Sequence, residues 1–368
     1  MAKVVGLVNL HSNVSYKGLT ERRPVASVSF LGRYGIVDFV LSNMSNSNID
    51  NVGVLIKEKP RSLFKHLGNG NSWNFNSKSG GVQLLYNEKY ANNTMYNHDI
   101  NNIIENIAFL KKNNADYVVI APAHIITTMN YNEVVNAHMR SGAEITMVYQ
   151  RIDNANETFV GSDYLRLKGK QVIEIKQNKG NRKERNISLE TYVINTKVLL
   201  QLLTYAKKVS SFFSLKDTLA YLCDERKINA YEYKGFARCI DSYDAYYKVS
   251  MEFLDMDVST QVFKSTWPIF TNSNDTPPSK YLKNAKVKKS FVANGAIIDG
   301  DVEGSILARN VIIGKNAVVK NCIILSGSKI SPEAHLENVI IDKDARIEKK
   351  KELIGEGSPL YVSEGDVV

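Results

Sequence analysis

The chain has 368 residues, 43% hydrophobic and 23% charged, which is typical of a folded protein and enough for two domains with their own cores. Its net charge is +9, but basic and acidic residues are interleaved, which argues against a nucleic-acid partner. Three scattered cysteines exclude a disulfide framework or a zinc site. Without a signal-peptide pattern or a run of roughly 20 apolar residues, we expect a cytoplasmic protein with no membrane partner.

The first half of the chain alternates short apolar runs with amphipathic stretches. The runs at 3–9, 52–56, 117–121 and 145–149 predict buried parallel strands, and residues 99–112 and 132–139 predict helices between them. This order indicates an α/β, Rossmann-like domain with a mostly parallel sheet over residues 1–255, whose ligands would bind at the carboxyl ends of the strands. A dense basic run, Lys179 to Arg185 (KGNRKER), lies between two further apparent strands and is expected to be a solvated loop.

The last part of the chain has a different period. Residues 256–284 contain several Pro, Asn and Ser residues and predict a linker. Beyond it, aliphatic residues recur every six positions with small or turn-forming residues between them, which is typical of a left-handed parallel β-helix and is assigned to residues 285–368. The recurring positions are Val292, Ile298, Ile313, Val319, Leu325, Ile330, Leu336, Ile341 and Ile347.

Two segments of the first domain resemble one enzyme family. Gly32 to Ile49 (GRYGIVDFVLSNMSNSNI) resembles the GGKYRIIDFPLSN-containing segment of bacterial glucose-1-phosphate adenylyltransferase, also called ADP-glucose pyrophosphorylase. Leu67 to Val82 (LGNGNSWNFNSKSGGV) resembles that family's GNG-x-x-W-D-L-D-x-x-x-GGV segment. With the β-helix tail, the resemblance covers nearly the whole chain. It implies a nucleotidyltransferase domain followed by a left-handed β-helix.

The reaction of that family requires several catalytic groups. A glucose 1-phosphate oxygen attacks the α-phosphate of ATP and pyrophosphate leaves, so charge grows on oxygens that already repel the nucleophile. A glycine-rich loop, an arginine, a lysine and carboxylates that hold Mg²⁺ supply the stabilisation. The resemblance allows each of these to be placed on this sequence.

At each of these places the sequence departs from the family. The loop A-G-G-x-G-x-R-L aligns with residues 9–16, so that Leu10, His11 and Asn13 replace its three glycines. Neutral residues stand at the remaining family positions: Ser15 for the arginine, Val25 for the lysine, and Ala123 and Cys239 for the two metal-binding aspartates. A methyl group cannot ligate Mg²⁺, and a thiol is a poor ligand for so hard a cation. We therefore predict no catalytic residues and no metal ligands in this chain.

With these departures the chain resembles the regulatory, non-catalytic GlgD-type subunit of the family. This resemblance implies a heterotetramer with a catalytic subunit, no cofactor of the chain's own, and Mg²⁺ used by the partner. Arg22, Arg23 and Arg33 lie where bacterial relatives place residues that bind phosphorylated sugar effectors. Lys179, Ser188 and Tyr192 would form what remains of the sugar-phosphate pocket.

Two other functions stay open at this point. The chain could be an active nucleotidyltransferase with a rearranged metal site that uses Asp241 or Asp116, or a stand-alone sensor of sugar phosphates. His124 is expected to be a packed residue at a strand end, and His335 an ordinary residue of a β-helix turn. Trp73 and Phe75 are expected to fill the core of a loop.

Overall fold

A computed structural model describes residues 2–75, 80–93, 95–210 and 213–368. Residues 76–79, in the second segment that resembles the family, lie outside the described residues. The helices are α1 (Val37–Asn46), α2 (Arg61–Leu67), α3 (Asp99–Glu105), α4 (Ile107–Asn113), α5 (Tyr131–Ser141), α6 (Thr196–Val209), α7 (Leu215–Leu222), α8 (Tyr243–Glu252) and α9 (Met256–Val262). Short 3₁₀ turns cover Lys17–Thr20, Val25–Ser27 and Asn71–Trp73.

Most of the strands up to residue 239 are longer than those that follow. They are β1 (Val4–Asn9), β2 (Ser29–Phe30), β3 (Tyr34–Gly35), β4 (Asn51–Ile56), β5 (Gly81–Tyr86), β6 (Tyr117–Pro122), β7 (Ile125–Thr127), β8 (Ile145–Ile152), β9 (Asp163–Lys168), β10 (Gln171–Gln177), β11 (Arg185–Asn195), β12 (Ile228–Glu232) and β13 (Ala237–Cys239). The later ones are β14 (Lys280–Tyr281), β15 (Lys286–Lys288), β16 (Phe291–Val292), β17 (Ile297–Ile298), β18 (Asp301–Glu303), β19 (Ile306–Leu307), β20 (Ile312–Ile313), β21 (Val318–Lys320), β22 (Ile323–Ile324), β23 (Lys329–Ile330), β24 (His335–Glu337), β25 (Val339–Ile341), β26 (Arg346–Ile347), β27 (Glu352–Ile354) and β28 (Leu360–Val362).

The chain forms two compact units. The first comprises residues 1–13, 37–239 and 267–270, and the second comprises residues 14–36, 240–266 and 271–368. The units therefore cut across the boundaries predicted at residues 255 and 285. Segments 14–36 and 240–266 join the second unit because their side chains contact its strands, as Tyr243 does through a hydrogen bond to the carbonyl of Pro359. The predicted linker also contains α9 and the first strand of the repeat, β14.

The first unit is built on a mixed sheet with the order β5-β4-β1-β6-β11-β8-β12-β10-β9. The four predicted strands are present as β1, β4, β6 and β8. Strands β5, β4, β1 and β6 are parallel, whereas β11 runs antiparallel between β6 and β8. The first unit is α/β, as predicted. Its sheet has more antiparallel pairing than the mostly parallel sheet that we predicted, because a buried apolar run carries no information on strand direction.

Local chemistry explains where the helices of this unit begin and end. The predicted helix at 132–139 is α5, which starts at the N-cap Asn130 and stops at Gly142, a left-handed position with φ of 58°. The predicted helix at 99–112 is divided into α3 and α4 at Asn106. The Asn106 side chain donates to the carbonyls of Tyr86 and Asn102, which holds the break. Trp73 and Phe75 are buried, as predicted.

The second unit contains the predicted β-helix. Its strands stack into three parallel five-stranded sheets, so each coil supplies one strand to each sheet. The recurring aliphatic positions from Ile298 to Ile347 are buried in its core, and Val292 packs against them. Gly295, Gly327 and several Asn residues adopt positive φ at the corners, where glycine and asparagine are tolerated best. Among the described residues, none of the helices is long and apolar enough to cross a membrane.

Candidate functional site

Two backbone amides of the loop after β1 have acceptors within the protein. The N–H of Leu10 donates to the carbonyl of Leu55 at 3.1 Å, and the N–H of His11 donates to Oδ1 of Asn9 at 3.0 Å. A phosphate-binding loop must instead point free N–H groups at its ligand. Leu10 and His11, the residues aligned with the first two family glycines, therefore have amides that already have acceptors.

A polar cluster that the sequence did not indicate holds this loop. The Asn9 side chain donates to Oδ2 of Asp99 at 2.8 Å, and the other Asp99 oxygen accepts from the N–H of Leu215. The two amide hydrogens of Asn102 are shared among three acceptors: Nε2 of His11 at 3.0 Å and the carbonyls of Ile56 and Leu85. Because these carbonyls identify the Asn102 nitrogen as a donor, Nε2 of His11 is the acceptor and the ring is neutral.

Burial lowers the pKa of His11 to about 4, against the opposing effect of Asp99. The unfolded chain has a histidine pKa near 6.5, so it takes up the proton first as the pH falls. The stability that neutral His11 contributes is thus present above about pH 6.5 and is lost as the pH falls toward 4, by up to about 3 kcal/mol.

We expect His11→Asn to reduce the decrease in unfolding free energy between pH 7 and pH 4.5, measured by urea denaturation. The matched control is His335→Asn, at a half-exposed histidine. An unchanged pH dependence in His11→Asn would contradict the assignment.

The two positions aligned with metal aspartates lie close in the first unit. Ala123 follows β6, and Cys239 ends β13, where it pairs with Ile125 of β7, two residues beyond Ala123. Both side chains are buried. The fold thus brings together the two positions, but with a methyl group and a thiol, and this pair does not suit Mg²⁺. Among the described residues, no group of three or more His, Cys, Asp or Glu side chains is arranged to hold a metal ion.

The two aspartates considered for a rearranged metal site differ in position. Asp116 immediately precedes β6, and its carboxylate accepts the N–H of Lys3 at 2.9 Å, just before β1. It therefore lies at the amino ends of these parallel strands, opposite the end at which ligands bind. This placement contradicts the use of Asp116 as a metal ligand at the site. Asp241 belongs to the second unit and is half-buried.

A charged cluster surrounds His124. His124 is buried, as expected for a packed strand-end residue, and its Nε2 lies 3.9 Å from a carboxylate oxygen of Glu190. Lys216 lies 3.1 Å from Asp163 and 4.0 Å from Glu190. Burial alone would lower the pKa of Lys216, but the two carboxylates outweigh it and the net shift is upward. Lys216 is therefore a charged amine whose charge is already balanced.

Glu190 has a backbone conformation that sequence inspection does not reveal. It lies in a bulge of β11, between Ser188 and Thr191, with φ of 49°. A left-handed conformation is uncommon for a residue with a long side chain and costs of order 1–3 kcal/mol. The bulge places the Glu190 carboxylate beside His124 and Lys216. A negative group therefore lies next to the Lys216 amine.

The predicted remnant of the sugar-phosphate pocket is divided between two environments. Ser188 and Tyr192 are buried in β11, and Oγ of Ser188 accepts the N–H of Glu190 at 3.2 Å. Burial, with the nearby carboxylates of Glu190 and Asp163, raises the pKa of Tyr192 well above its usual value. Lys179 lies in the exposed loop between β10 and β11. Sugar-phosphate binding by these three residues stays a prediction.

The remaining degenerate positions lie in the second unit. Ser15 bonds through Oγ to the hydroxyl of Thr20 at 3.0 Å, and Val25 begins a 3₁₀ turn. Neither side chain carries the charge that the family has at that place. His335 lies half-exposed in strand β24, 3.9 Å from Glu352, and not in a turn as predicted.

The three arginines predicted to bind an effector differ in burial. Arg22 and Arg33 are exposed, and Arg33 lies over the ring of Tyr34. Arg23 is buried and forms an ion pair with Asp342, with Glu364 3.3 Å away. Its guanidinium thus already has two anionic partners, which assigns it a structural role. Effector binding stays a prediction. Substitution of Arg22 and Arg33 can test it without breaking a buried ion pair.

Comparison with known proteins identifies the families to which the two parts of the chain are similar. Residues 17–255 match the Nucleotidyl transferase family, and residues 277–359 match the GlmU-like, C-terminal hexapeptide family. The chain belongs to the nucleotidyl transferase family, in the group that contains the glucose-1-phosphate adenylyltransferases and the GlgD proteins.

Within this group the similarity extends along most of the chain. The Glycogen biosynthesis protein GlgD of Bacillus subtilis is 31% identical over 95% of this chain and 92% of its own length. That of Geobacillus stearothermophilus is 33% identical over 86% and 83%. The glucose-1-phosphate adenylyltransferase of Desulfitobacterium hafniense DCB-2 is 30% identical over 95% and 92%. The predicted resemblance is thereby confirmed.

Proposed function

We propose that this chain acts in glycogen biosynthesis as a regulatory subunit of ADP-glucose pyrophosphorylase, with little or no activity of its own. Its similarity to proteins named GlgD supports the pathway. The observation that carries the regulatory role lies at the carboxyl ends of β1 and β6. There the loop amides of Leu10 and His11 are bonded within the protein, and Ala123 and Cys239 stand where the family has carboxylates.

Each of these features removes a different contribution to phosphoryl transfer. Occupied amides cannot cradle a triphosphate, and neutral side chains cannot fix the metal that offsets its charge. Lys216 does not compensate, because Asp163 and Glu190 already balance its charge. The sheet that carries the site is nevertheless intact, which suits a subunit selected for binding and assembly.

Exposed apolar side chains on the β-helix support association with other subunits. Tyr281 and Leu282 lie at its first strand, and Ile354, Leu360 and Val367 lie in its last coils; all five are exposed. Apolar groups at both ends of a stacked coil favour burial against a second protein. We therefore propose a heterotetramer with a catalytic subunit, which would supply the Mg²⁺ site.

The experiment mixes the purified chain with the glucose-1-phosphate adenylyltransferase of its own organism. We expect the two to elute together from a sizing column and the half-saturating ATP concentration of the enzyme to change by at least about threefold, a coupling of about 0.7 kcal/mol. Arg22→Ala with Arg33→Ala should abolish the response of the mixture to fructose 1,6-bisphosphate and leave co-elution intact. Lys207→Ala with Lys208→Ala, which removes two exposed charges on α6, is the matched control.

Separate outcomes identify each failure. If the two proteins do not associate, the subunit proposal is wrong, and retained binding of the sugar phosphate would then favour a stand-alone sensor. If they associate but the arginine variant responds as the control does, the effector assignment alone is wrong.

A further inference from the structure

A basic groove lies on the outer part of the sheet in the first unit. It encloses about 810 Å³ between β9, β10 and the start of β11, and the loop that carries the basic run Lys179 to Arg185 forms one wall. Five cations line it: Arg151, Arg166, Lys176, Arg182 and Arg185. Lys179, Ser188 and Tyr192 are not among the lining residues, so this groove is distinct from the predicted remnant of the sugar-phosphate pocket.

Internal ion pairs neutralise only part of this charge. Glu184 pairs with Arg151 at 3.0 Å, and Glu174 lies 3.5 Å from Arg166 and 2.5 Å from Lys176. With five cations and these two carboxylates, the lining carries a net charge of +3. Among the described residues, no carboxylate lies within ion-pair distance of Arg182 or Arg185. The groove thus retains an unbalanced positive charge on its loop side.

The side chain of Arg185 is held in place before any ligand binds. Its guanidinium lies over the Tyr164 ring, 4.1 Å from the centroid, and donates to Oδ1 of Asn181 at 3.0 Å. Its Nε is buried with no acceptor among the described residues. A buried donor without a partner is unfavourable, and an oxyanion bound to this guanidinium can offset that cost. A planar, oriented guanidinium is also the group best suited to a phosphate.

We infer that this groove binds a small molecule carrying two phosphate groups, held between Arg182 and Arg185 on the loop side and the cations of β9 and β10. Each phosphate group carries about −1.5 to −2 charges at pH 7, so two of them balance the excess positive charge. The volume leaves room for a carbon skeleton beside the apolar side chain of Leu167. This site does not depend on the proposed regulatory role.

The test titrates the full chain with inorganic pyrophosphate by calorimetry. We expect Arg182→Ala with Arg185→Ala to weaken binding at least about 30-fold, since each charge-assisted contact contributes roughly 1.5 kcal/mol or more. Lys207→Ala with Lys208→Ala carries the same loss of charge outside the groove and should bind as the wild type does. Glu184→Gln should tighten binding about three-fold, because it frees Arg151 and raises the local charge.

The two directions of change guard against a folding artefact. If the variant with Arg182→Ala and Arg185→Ala does not fold, the Glu184→Gln variant still tests the inference, because a misfolded protein cannot gain affinity for pyrophosphate. The inference is wrong if the wild type does not bind pyrophosphate, if both double variants weaken equally, or if Glu184→Gln leaves the affinity unchanged. It is also wrong if the arginine variant loses co-elution with the catalytic relative while pyrophosphate binding persists, which would identify a protein-binding surface.

Discussion

Purified without any partner and given ATP, glucose 1-phosphate and Mg²⁺, this chain should release pyrophosphate at least about 10⁴-fold more slowly than its glucose-1-phosphate adenylyltransferase relative. Loss of one stabilising group at such a site typically costs about 10²-fold or more in rate. Here the amides of Leu10 and His11 are occupied and both metal positions are neutral. The occupied amides and the missing metal carboxylates remove separate contributions, so the figure multiplies only these two factors and leaves out the missing arginine and lysine, whose losses are not independent of them.

The measurement is a coupled pyrophosphate assay, with the catalytic relative as the positive control. Restoring the two carboxylates with Ala123→Asp and Cys239→Asp should not restore turnover, because the loop amides of Leu10 and His11 and the neutral Ser15 and Val25 remain. Both positions are buried, so the new carboxylates should lower the melting temperature, and Mg²⁺ should recover part of it if both face one metal position. Brisk synthesis of ADP-glucose by the wild-type chain alone would overturn the proposed function.

Replacing Arg23 with alanine should destabilise the second unit by about 3–5 kcal/mol. Removal of one partner of a buried ion pair leaves an uncompensated charge. That charge would be Asp342, whose side chain is fully buried and is held by the hydroxyl of Tyr361 at 2.8 Å and the N–H of Lys343 at 2.7 Å. Glu364, which is partly exposed, can rehydrate. Thermal or urea unfolding measures the loss.

The neighbouring residue provides the matched control for this prediction. Arg22→Ala, at an exposed position, should change the unfolding free energy by no more than about 0.5 kcal/mol. Arg23→Met with Asp342→Leu should recover much of the loss, because an apolar pair of similar volume avoids the buried charge. If Arg23→Ala and Arg22→Ala proved equally stable, the ion pair would have no structural importance. A loss of effector response in Arg23→Ala is therefore not evidence of effector contact.

The strands and the repeat were predictable because their signals are local. Apolar runs located β1, β4, β6 and β8, and the six-residue period located the β-helix. Strand direction was not predictable, and neither was the division of the helix at Asn106. The unit boundaries also differ from the linear ones, since residues 14–36 pack with strands more than two hundred residues later in the chain.

The candidate site shows the same division. That a methyl group and a thiol cannot bind Mg²⁺ follows from the residues at 123 and 239, whatever the surroundings. The Glu190 carboxylate beside Lys216 could not be foreseen, because it depends on a bulge and a left-handed backbone. The Asn9, Asp99 and Asn102 contacts carry no motif, since asparagine and aspartate occur in loops for many reasons.

By itself the sequence determined the family, four strands and two helical regions of the first unit, the β-helix repeat and the absence of cationic and acidic ligands at the family positions, because each depends on residue identity or short-range period. Tertiary structure alone decided the environment of each charge. It paired Arg23 with Asp342, 319 positions away, placed Asp116 at the end of the sheet away from the site, and kept His11 neutral. It also made the basic run, which is a largely exposed loop as predicted, one wall of a groove. The reason is that burial and long-range partners, which set whether a charge is free, balanced or removed, are properties of the folded chain.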